Sequence, residues 1–319
     1  MLNWGFIGCG AVTEVKSGPA YQLVKGFSVK AVMRRNPEKL ADYAKRHGIE
    51  KTYIDAEALI NDPEIDAVYI ATPPDSHLEY ALKVAKAGKI CCIEKPMAVN
   101  YEQSLAIYEA FDKKKVPLYV AYYRRNLARF LQIKQWLENA EIGKIERINW
   151  VYTKEPSAED LAKTYNWRTD KNVAPGGYFD DLASHGLDIF AFFLGDYHSA
   201  SGVVNNKLGL YHAYDFIQSD WLHKNGIKGS ALWNFGAKAY KDEVIIYGEK
   251  GKITFSVFGE NPLILSASGK DKLVEITNPK HIQLPFVEAM KNHLQGKGVS
   301  TSTGKSALHT AWVMSEILN

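Results

Sequence analysis

Two stretches of this 319-residue chain carry residue types suited to chemistry on a small molecule. An apolar segment, residues 4–7, runs straight into Gly8-Cys9-Gly10-Ala11-Val12-Thr13, and a later apolar run, residues 90–93, ends in Glu94-Lys95-Pro96. A strand entering a glycine turn brings backbone N–H groups up to a pyrophosphate, because glycine permits the tight turn and the close approach. A lysine at the end of a later strand of the same sheet would stand where a reacting oxygen can be reached. Together they predict redox chemistry at a carbonyl or an alcohol.

A second pair lies downstream. Asp181 and His185 are four apart in a segment predicted helical over 178–194, so they share a face. An imidazole titrates near pH 6.5, at about the right place to take or give the proton that accompanies hydride transfer. Asp181 can accept hydrogen bonds from a substrate hydroxyl and bias His185 towards its charged form. Lys95 can polarise the same oxygen or donate the proton, and burial or a neighbouring cation would lower its pKa towards that use. Taken alone, His185 reads as an ordinary partly buried histidine. The combination with Asp181, Lys95 and the glycine turn makes it a catalytic candidate. Asp180 emerges about 100° further round the helix and is not equivalent. Asp181, His185 and Asp188 could in principle hold a metal, but no cysteine cluster or second histidine at ligand spacing joins them, and no metal is expected.

The dinucleotide reading names further residues. The second predicted strand ends in Met33-Arg34-Arg35-Asn36 with Lys39 following, where an NAD site would present an acid to the ribose hydroxyls. Arginine's planar fork suits a phosphate and lysine adds a point charge, so NADP(H) is expected, with NAD(H) the alternative if these are solvated strand-end charges. Gly8, Cys9, Gly10, Ala11 and Val12 form the pyrophosphate turn, while Thr72, Pro73 and Pro74 wall the cleft after another apolar strand. His77 either caps the helix that follows or lies on the surface. Glu94 and Lys95, with Arg124 after the last predicted strand of the sheet and Trp167-Arg168 in a later loop, complete the cofactor set. Tyr123 and Tyr165 read equally well as sugar contacts, where a ring stacks while its hydroxyl bonds, or as packing.

The elements that must hold these groups follow from periodicity. Over residues 1–121, continuous apolar strands (4–7, 28–33, 67–71, 90–93, 118–121) alternate with amphipathic helices (to 24, 37–47, 76–87, 101–114), the pattern of a parallel sheet covered on both faces. Beyond Tyr122 come a helix at 127–138, an alternating strand at 144–152 and a loop rich in proline, serine and charge. The 178–194 helix leads to six β-type runs between 199 and 268, and helices at 285–294 and 304–318 close the chain. Turn signals between these runs predict a mostly antiparallel sheet. Two domains are expected, 1–121 for the dinucleotide and 122–319 for substrate binding and oligomerisation.

Bulk properties exclude other classes. Hydrophobic residues make up 46 % and charged residues 24 %, and the net charge of +3 gives no field for nucleic acid. Three cysteines, Cys9, Cys91 and Cys92, support neither a disulfide framework nor a metal site, and fit a reducing compartment as core residues. No stretch is long and apolar enough for a membrane span, and the N-terminus enters the glycine turn without a secretion signal, so a cytoplasmic protein is expected.

With the glycine turn, Thr72-Pro73-Pro74 with His77, and Glu94-Lys95-Pro96 assembled, the chain resembles the glucose-fructose oxidoreductase / inositol dehydrogenase (Gfo/Idh/MocA) family over essentially its whole length. The segment 175–188, in which a glycine pair precedes Asp181, His185 and Asp188, adds to the likeness. The resemblance implies an α/β chain: an N-terminal Rossmann domain with a doubly wound parallel sheet, then a C-terminal α/β domain on a large, open, mostly antiparallel sheet. It implies homodimers or homotetramers through that sheet, and NAD(P)-dependent oxidation or reduction of a sugar, sugar derivative or polyol. The Lys of Glu-Lys-Pro and the later Asp and His would line the substrate pocket. Thr13 in the turn, Pro175 for a first glycine and Tyr122-Tyr123-Arg124-Arg125-Asn126 depart from the usual pattern. Alternatives are an NAD(H)-linked inositol- or dihydrodiol-type dehydrogenase and a non-catalytic dinucleotide sensor.

Overall fold

The computed structural model describes Met1–Asn319. The chain begins β1 (Leu2–Ile7), α1 (Ala11–Val15), α2 (Ser17–Leu23), β2 (Phe27–Met33), α3 (Pro37–His47), β3 (Lys51–Tyr53) and α4 (Ala56–Asn61). It continues β4 (Ala67–Ile70), α5 (His77–Lys86), β5 (Ile90–Ile93), α6 (Tyr101–Lys114) and β6 (Leu118–Val120). Next come α7 (Ala128–Glu138), β7 (Ile145–Thr153), α8 (Ala158–Leu161) and α9 (Tyr178–Leu194). Seven strands follow: β8 (Tyr197–Asn205), β9 (Phe216–His223), β10 (Lys228–Asn234), β11 (Lys241–Gly248), β12 (Gly251–Phe255), β13 (Leu263–Ala267) and β14 (Lys270–Val274). Helices α10 (Leu284–Leu294) and α11 (Gly304–Leu318) end the chain.

Two compact units result. One holds Met1–Tyr123 together with Pro279–Leu308, the other Arg124–Asn278 with His309–Asn319. The chain therefore changes unit three times instead of once near residue 121, because the stretch carrying α10 returns to the first unit.

The first unit is built on six parallel strands in the order β3-β2-β1-β4-β5-β6. In this order the connections reverse direction between β1 and β4, which is where such sheets bind ligands. Period-2 alternation explains its two covers. Phe6 and Tyr69 join Trp4, Tyr21 and Phe27 in an edge-to-face aromatic layer on one side. Ile7, Val68, Ile70, Cys91 and Ile93 enter an aliphatic cluster with Leu59, Val84 and Ile107 on the other. All three cysteines are buried and free.

The second unit is built on eight strands in the order β14-β13-β12-β11-β7-β10-β9-β8. Only β7 and β10 pair in parallel; the other neighbours are antiparallel. Alternation buries Ile148, Trp150 and Tyr152 on β7 and Val244 and Ile246 on β11. Helix α9 lies on that face. A Cβ on its Gly186 would fall 2.3 Å from the Trp150 ring, so glycine there is what lets helix and sheet close.

A histidine in this unit makes folding pH-dependent. His223 is fully buried and stacks on Tyr197 at 4.4 Å. Its Nε2 accepts from Trp221 Nε1 at 3.2 Å and its Nδ1 faces the Gly195 carbonyl at 2.8 Å, an arrangement that needs the neutral ring. Burial pushes its pKa down to about 4, with His309 lowering it further, against the Gly195 and Asp196 carbonyls and the Asp196 carboxylate, which raise it. A depressed native pKa gives stability that is whole above the unfolded value near 6.5 and is lost as pH falls towards 4. The difference amounts to roughly 3 kcal/mol. Asp180, whose pKa burial raises to about 7, acts oppositely, losing stability as pH rises through 7. Comparison with His223→Gln isolates the histidine: the variant is expected to lie well below the parent in urea unfolding at pH 7.5 and close to it at pH 4.5. An equal gap at both pH values would show that His223 is not the acid-sensitive group.

Candidate functional site

In the first unit the turn after β1 lies beside the residues that follow β4. Gly8 has φ +91, and a Cβ on it would fall 2.7 Å from Thr72 Cγ2 and 3.0 Å from the Thr72 nitrogen. Backbone conformation and close approach both demand glycine. Gly10 is different: it is the N-cap of α1, and a Cβ there would meet nothing within 4 Å. The first N–H groups of α1 beside it could take a pyrophosphate. The helix expected after the turn is broken at Lys16 into α1 and α2, so individual N–H groups contribute more here than a long helix dipole.

Thr13, which stands where a third glycine is usual, is fully buried and donates its hydroxyl to the Gly10 carbonyl at 2.8 Å. Close packing passes instead to Gly18 of α2, whose Cβ would lie 2.1 Å from the Thr13 carbonyl oxygen. Arg34 Nη1 donates to the Cys9 carbonyl at 2.9 Å, tying the end of β2 to the turn. Arg35 and Lys39 are exposed. Asn36 caps α3 by accepting from the Lys39 N–H at 2.9 Å. Cys9 is buried, which raises its thiol pKa. Ala11 and Val12 form the first turn of α1.

His77 is neither a cap nor a surface residue. It is fully buried, with Nε2 2.8 Å from the Thr72 carbonyl and Nδ1 3.1 Å from the Pro96 carbonyl. It thereby joins the Thr72-Pro73-Pro74 turn to the segment carrying Lys95. Burial lowers its pKa, while the Thr72, Pro96 and Met97 carbonyls and Glu94 oppose that shift. Pro74 is buried and Pro73 exposed, and the Ser76 hydroxyl donates to Thr72 Oγ1 at 2.7 Å. Glu94 is occupied by the protein itself. It accepts from the Tyr69 hydroxyl, from Gln283 Nε2 at 2.8 Å and from the Lys95 N–H at 3.3 Å. Lys95 is half-buried at the end of β5. Gln283, at the start of α10, gave no signal in the sequence, being 189 residues from Glu94.

In the second unit α9 presents Asp181 and His185 one turn apart, His185 5 % exposed. Arg168 Nε donates to Asp181 Oδ2 at 2.7 Å, and its guanidinium stacks 4.4 Å from the neighbouring Trp167 ring. The cation expected in this loop thus meets the catalytic candidate directly, with the aromatic stacked against it. His185 stands edge-on to Phe258 at 5.8 Å, and Arg124, also buried, lies 4.6 Å over the same ring. Asp188 is bound elsewhere: Arg125 Nε and Nη2 grip its two oxygens at 2.7 Å each, and Thr310 donates at 3.2 Å. Arg125 was not singled out from sequence, although its neighbour was. Lys154 is a further addition, its ammonium 3.7 Å from the Tyr178 ring centre and its pKa lowered by burial, against Asp160 and Asp181, which raise it. Tyr165 is 75 % exposed and Tyr123 buried. No three His, Cys, Asp or Glu side chains are grouped to hold a metal ion, and no helix is long and apolar enough to cross a membrane.

Residues 2–122 match the model of an oxidoreductase family with an NAD-binding Rossmann fold, GFO/IDH/MocA, and residues 130–254 match a GFO/IDH/MocA C-terminal domain. Oxidoreductase P35 of Formosa agariphila is 40 % identical over 90 % of this chain and 89 % of its own length. Levoglucosan dehydrogenase of Pseudarthrobacter phenanthrenivorans is 34 % identical over 64 % of this chain and 54 % of its own length. A solved levoglucosan dehydrogenase, in complex with NADH and levoglucosan, superposes with a TM-score of 0.88 at 25 % identity, covering 99 % of this chain and 96 % of that one.

Proposed function

The chain belongs to the GFO/IDH/MocA family of oxidoreductases, and from that premise we propose that it is an NADP(H)-preferring enzyme acting on a sugar, sugar derivative or polyol. The observation that carries the reading is the pair on α9: Asp181, held by Arg168, with His185 one turn further on. When bound, the nicotinamide supplies hydride exchange with a carbinol or carbonyl carbon. Gly8 and Gly10 with the first N–H groups of α1 would hold the pyrophosphate, and the Thr72-Pro73-Pro74 turn would wall it. Lys95 and His185 take or give the proton of the substrate oxygen, and Asp181 accepts a hydrogen bond from an adjacent hydroxyl. Arg168, stacked on Trp167, holds the Asp181 carboxylate for that bond. Copies of the chain would associate as dimers or tetramers through the face of the large sheet turned away from α9.

The preference for NADP(H) rests on the end of β2. No acid stands there to receive ribose hydroxyls, and Arg34 is already engaged with the Cys9 carbonyl. Phosphate recognition therefore falls mainly to the exposed Arg35 and Lys39. A fluorescence titration is expected to give NADPH at least about tenfold tighter binding than NADH, since a charge-assisted hydrogen bond contributes about 1.5–3 kcal/mol. Arg35→Ser with Lys39→Ser should remove that preference and leave NADH binding as it was. Tighter binding of NADH by the unaltered protein would overturn the preference and favour the NAD(H)-linked reading.

A further inference from the structure

The second unit contains a half-open cavity of about 430 Å³, lined in part by the sugar-contact candidate Tyr165 and otherwise not used by the roles above. Its volume lies within the ~300–1,000 Å³ of small-molecule pockets. Asp160, Asn166, Asp170, Tyr165, Tyr211 and His212 are among its lining residues. The lining mixes carboxylate acceptors, an amide and a phenol that both donate and accept, and aromatic surface. Its charges nearly balance, with Lys163 set against Asp160 and Asp170. No strong field of either sign is present to select an ion. Such a surface matches a ring whose hydroxyls donate and accept around its rim while its C–H face lies on an aromatic.

Two further observations concern the walls. Tyr211, itself a lining residue, has its hydroxyl buried without a hydrogen-bond partner, which leaves an unmet polar group in the cavity wall. The walls are also fixed to the element bearing Asp181. Asn166 Nδ2 donates to the Tyr178 hydroxyl at 3.1 Å, and that hydroxyl donates to Asp160 at 2.9 Å. Asn166 Oδ1 accepts the Arg168 N–H at 3.1 Å, and Arg168 grips Asp181. Asn166, which lines the cavity, is thus two hydrogen bonds away from Asp181, through Arg168.

We propose that this cavity is a second saccharide subsite, holding a neutral sugar ring linked to the ring oxidised or reduced at Asp181 and His185. The preferred substrate is then a disaccharide or larger glycoside. The inference rests on the reading of α9 as the substrate-binding helix.

Ligand-observed NMR on the NADPH-loaded protein tests it, comparing methyl glucoside, galactoside and mannoside with cellobiose, lactose and mannobiose. At least one disaccharide is expected to bind about tenfold or more tighter than its methyl monoside. Thr164→Trp, at an exposed position lining the cavity, should erase that increment and leave the monoside's affinity unchanged. His212→Ala, a milder change at another exposed lining residue, should reduce the increment in the same direction. Circular dichroism and NADPH binding check that both variants are folded. Disaccharides binding no tighter than monosides, or an increment untouched by both variants, would overturn the subsite while leaving the proposed activity standing. Absence of binding by every sugar, monoside and disaccharide alike, would remove the sugar reading itself and the subsite with it.

Discussion

Replacing Lys95 by methionine is expected to lower turnover by about a thousandfold, because positioned acid–base catalysis typically supplies 10²–10⁴. NADPH affinity should stay within about threefold of the parent, since the pyrophosphate turn and the end of β2 are untouched. Methionine matches the unbranched apolar stem of lysine as far as Cε and lacks the ammonium, so the change isolates proton donation. The aim of Lys95 comes from its neighbours. Its N–H faces the Glu94 carboxylate, which Tyr69 and Gln283 hold from the other side, and His77 fixes the Pro96 carbonyl next in line. A side chain on so constrained a backbone is pre-organised, and little reordering accompanies its use. Stopped-flow hydride transfer under single-turnover conditions is the readout. Unchanged rates would move the proton to His185 alone. Lost NADPH binding would instead make Lys95 a cofactor anchor.

How much of this was legible in the sequence depended on whether a local pattern carried it. Strands buried on both faces read as continuous apolar runs, which is why β4 and β5 were visible as residues 67–71 and 90–93. Their helices carried caps and periodicity, and the expected spans 37–47 and 101–114 coincide with α3 and α6. The elements that escaped lack such patterns. β3 is three residues long at a sheet edge with none of them buried, and β14 is Lys-Asp-Lys-Leu-Val, also at an edge and mostly exposed. Helix α4 did carry a signal, since Asp55 caps it by accepting the Ala58 N–H, but the segment is short.

The candidate site divides in the same way. Gly8, Lys95, Asp181 and His185 stood out in the sequence because the chemistry proposed for them depends on residue type at fixed local spacing. Glu94 and Gln283 meet across 189 residues, and Arg125 and Asp188 across 63. Pairings of that separation are products of tertiary packing and leave no periodic trace. His77 shows the converse error: a histidine at a helix start suggests a cap, yet burial turns it into a brace between two carbonyls.

The Arg125–Asp188 pair sets the second large expectation. Arg125→Met is expected to destabilise the protein by about 3–5 kcal/mol, the usual consequence of removing one partner from a buried ion pair. Asp188 is 1 % exposed, and burial raises its pKa against the lowering influence of Arg125 and Thr310. Without the guanidinium that opposition is mostly lost, so the native pKa rises further above the unfolded value. A raised native pKa gives stability that is present at low pH and lost as pH rises through it. The variant's deficit should therefore be largest near pH 8 and smallest near pH 5 in urea unfolding. Adding Asp188→Asn to Arg125→Met removes the stranded charge and should recover much of the loss at pH 8. A deficit below about 1 kcal/mol at both pH values would mean the pair is dispensable, as exposed pairs are. The consequence reaches the chemistry because Asp188 follows His185 by three residues on α9, while Arg124, next to Arg125, covers the Phe258 ring on which His185 rests. Holding Asp188 anchors α9 just beyond His185, so the destabilised variant should lose catalytic rate at temperatures where it is still folded.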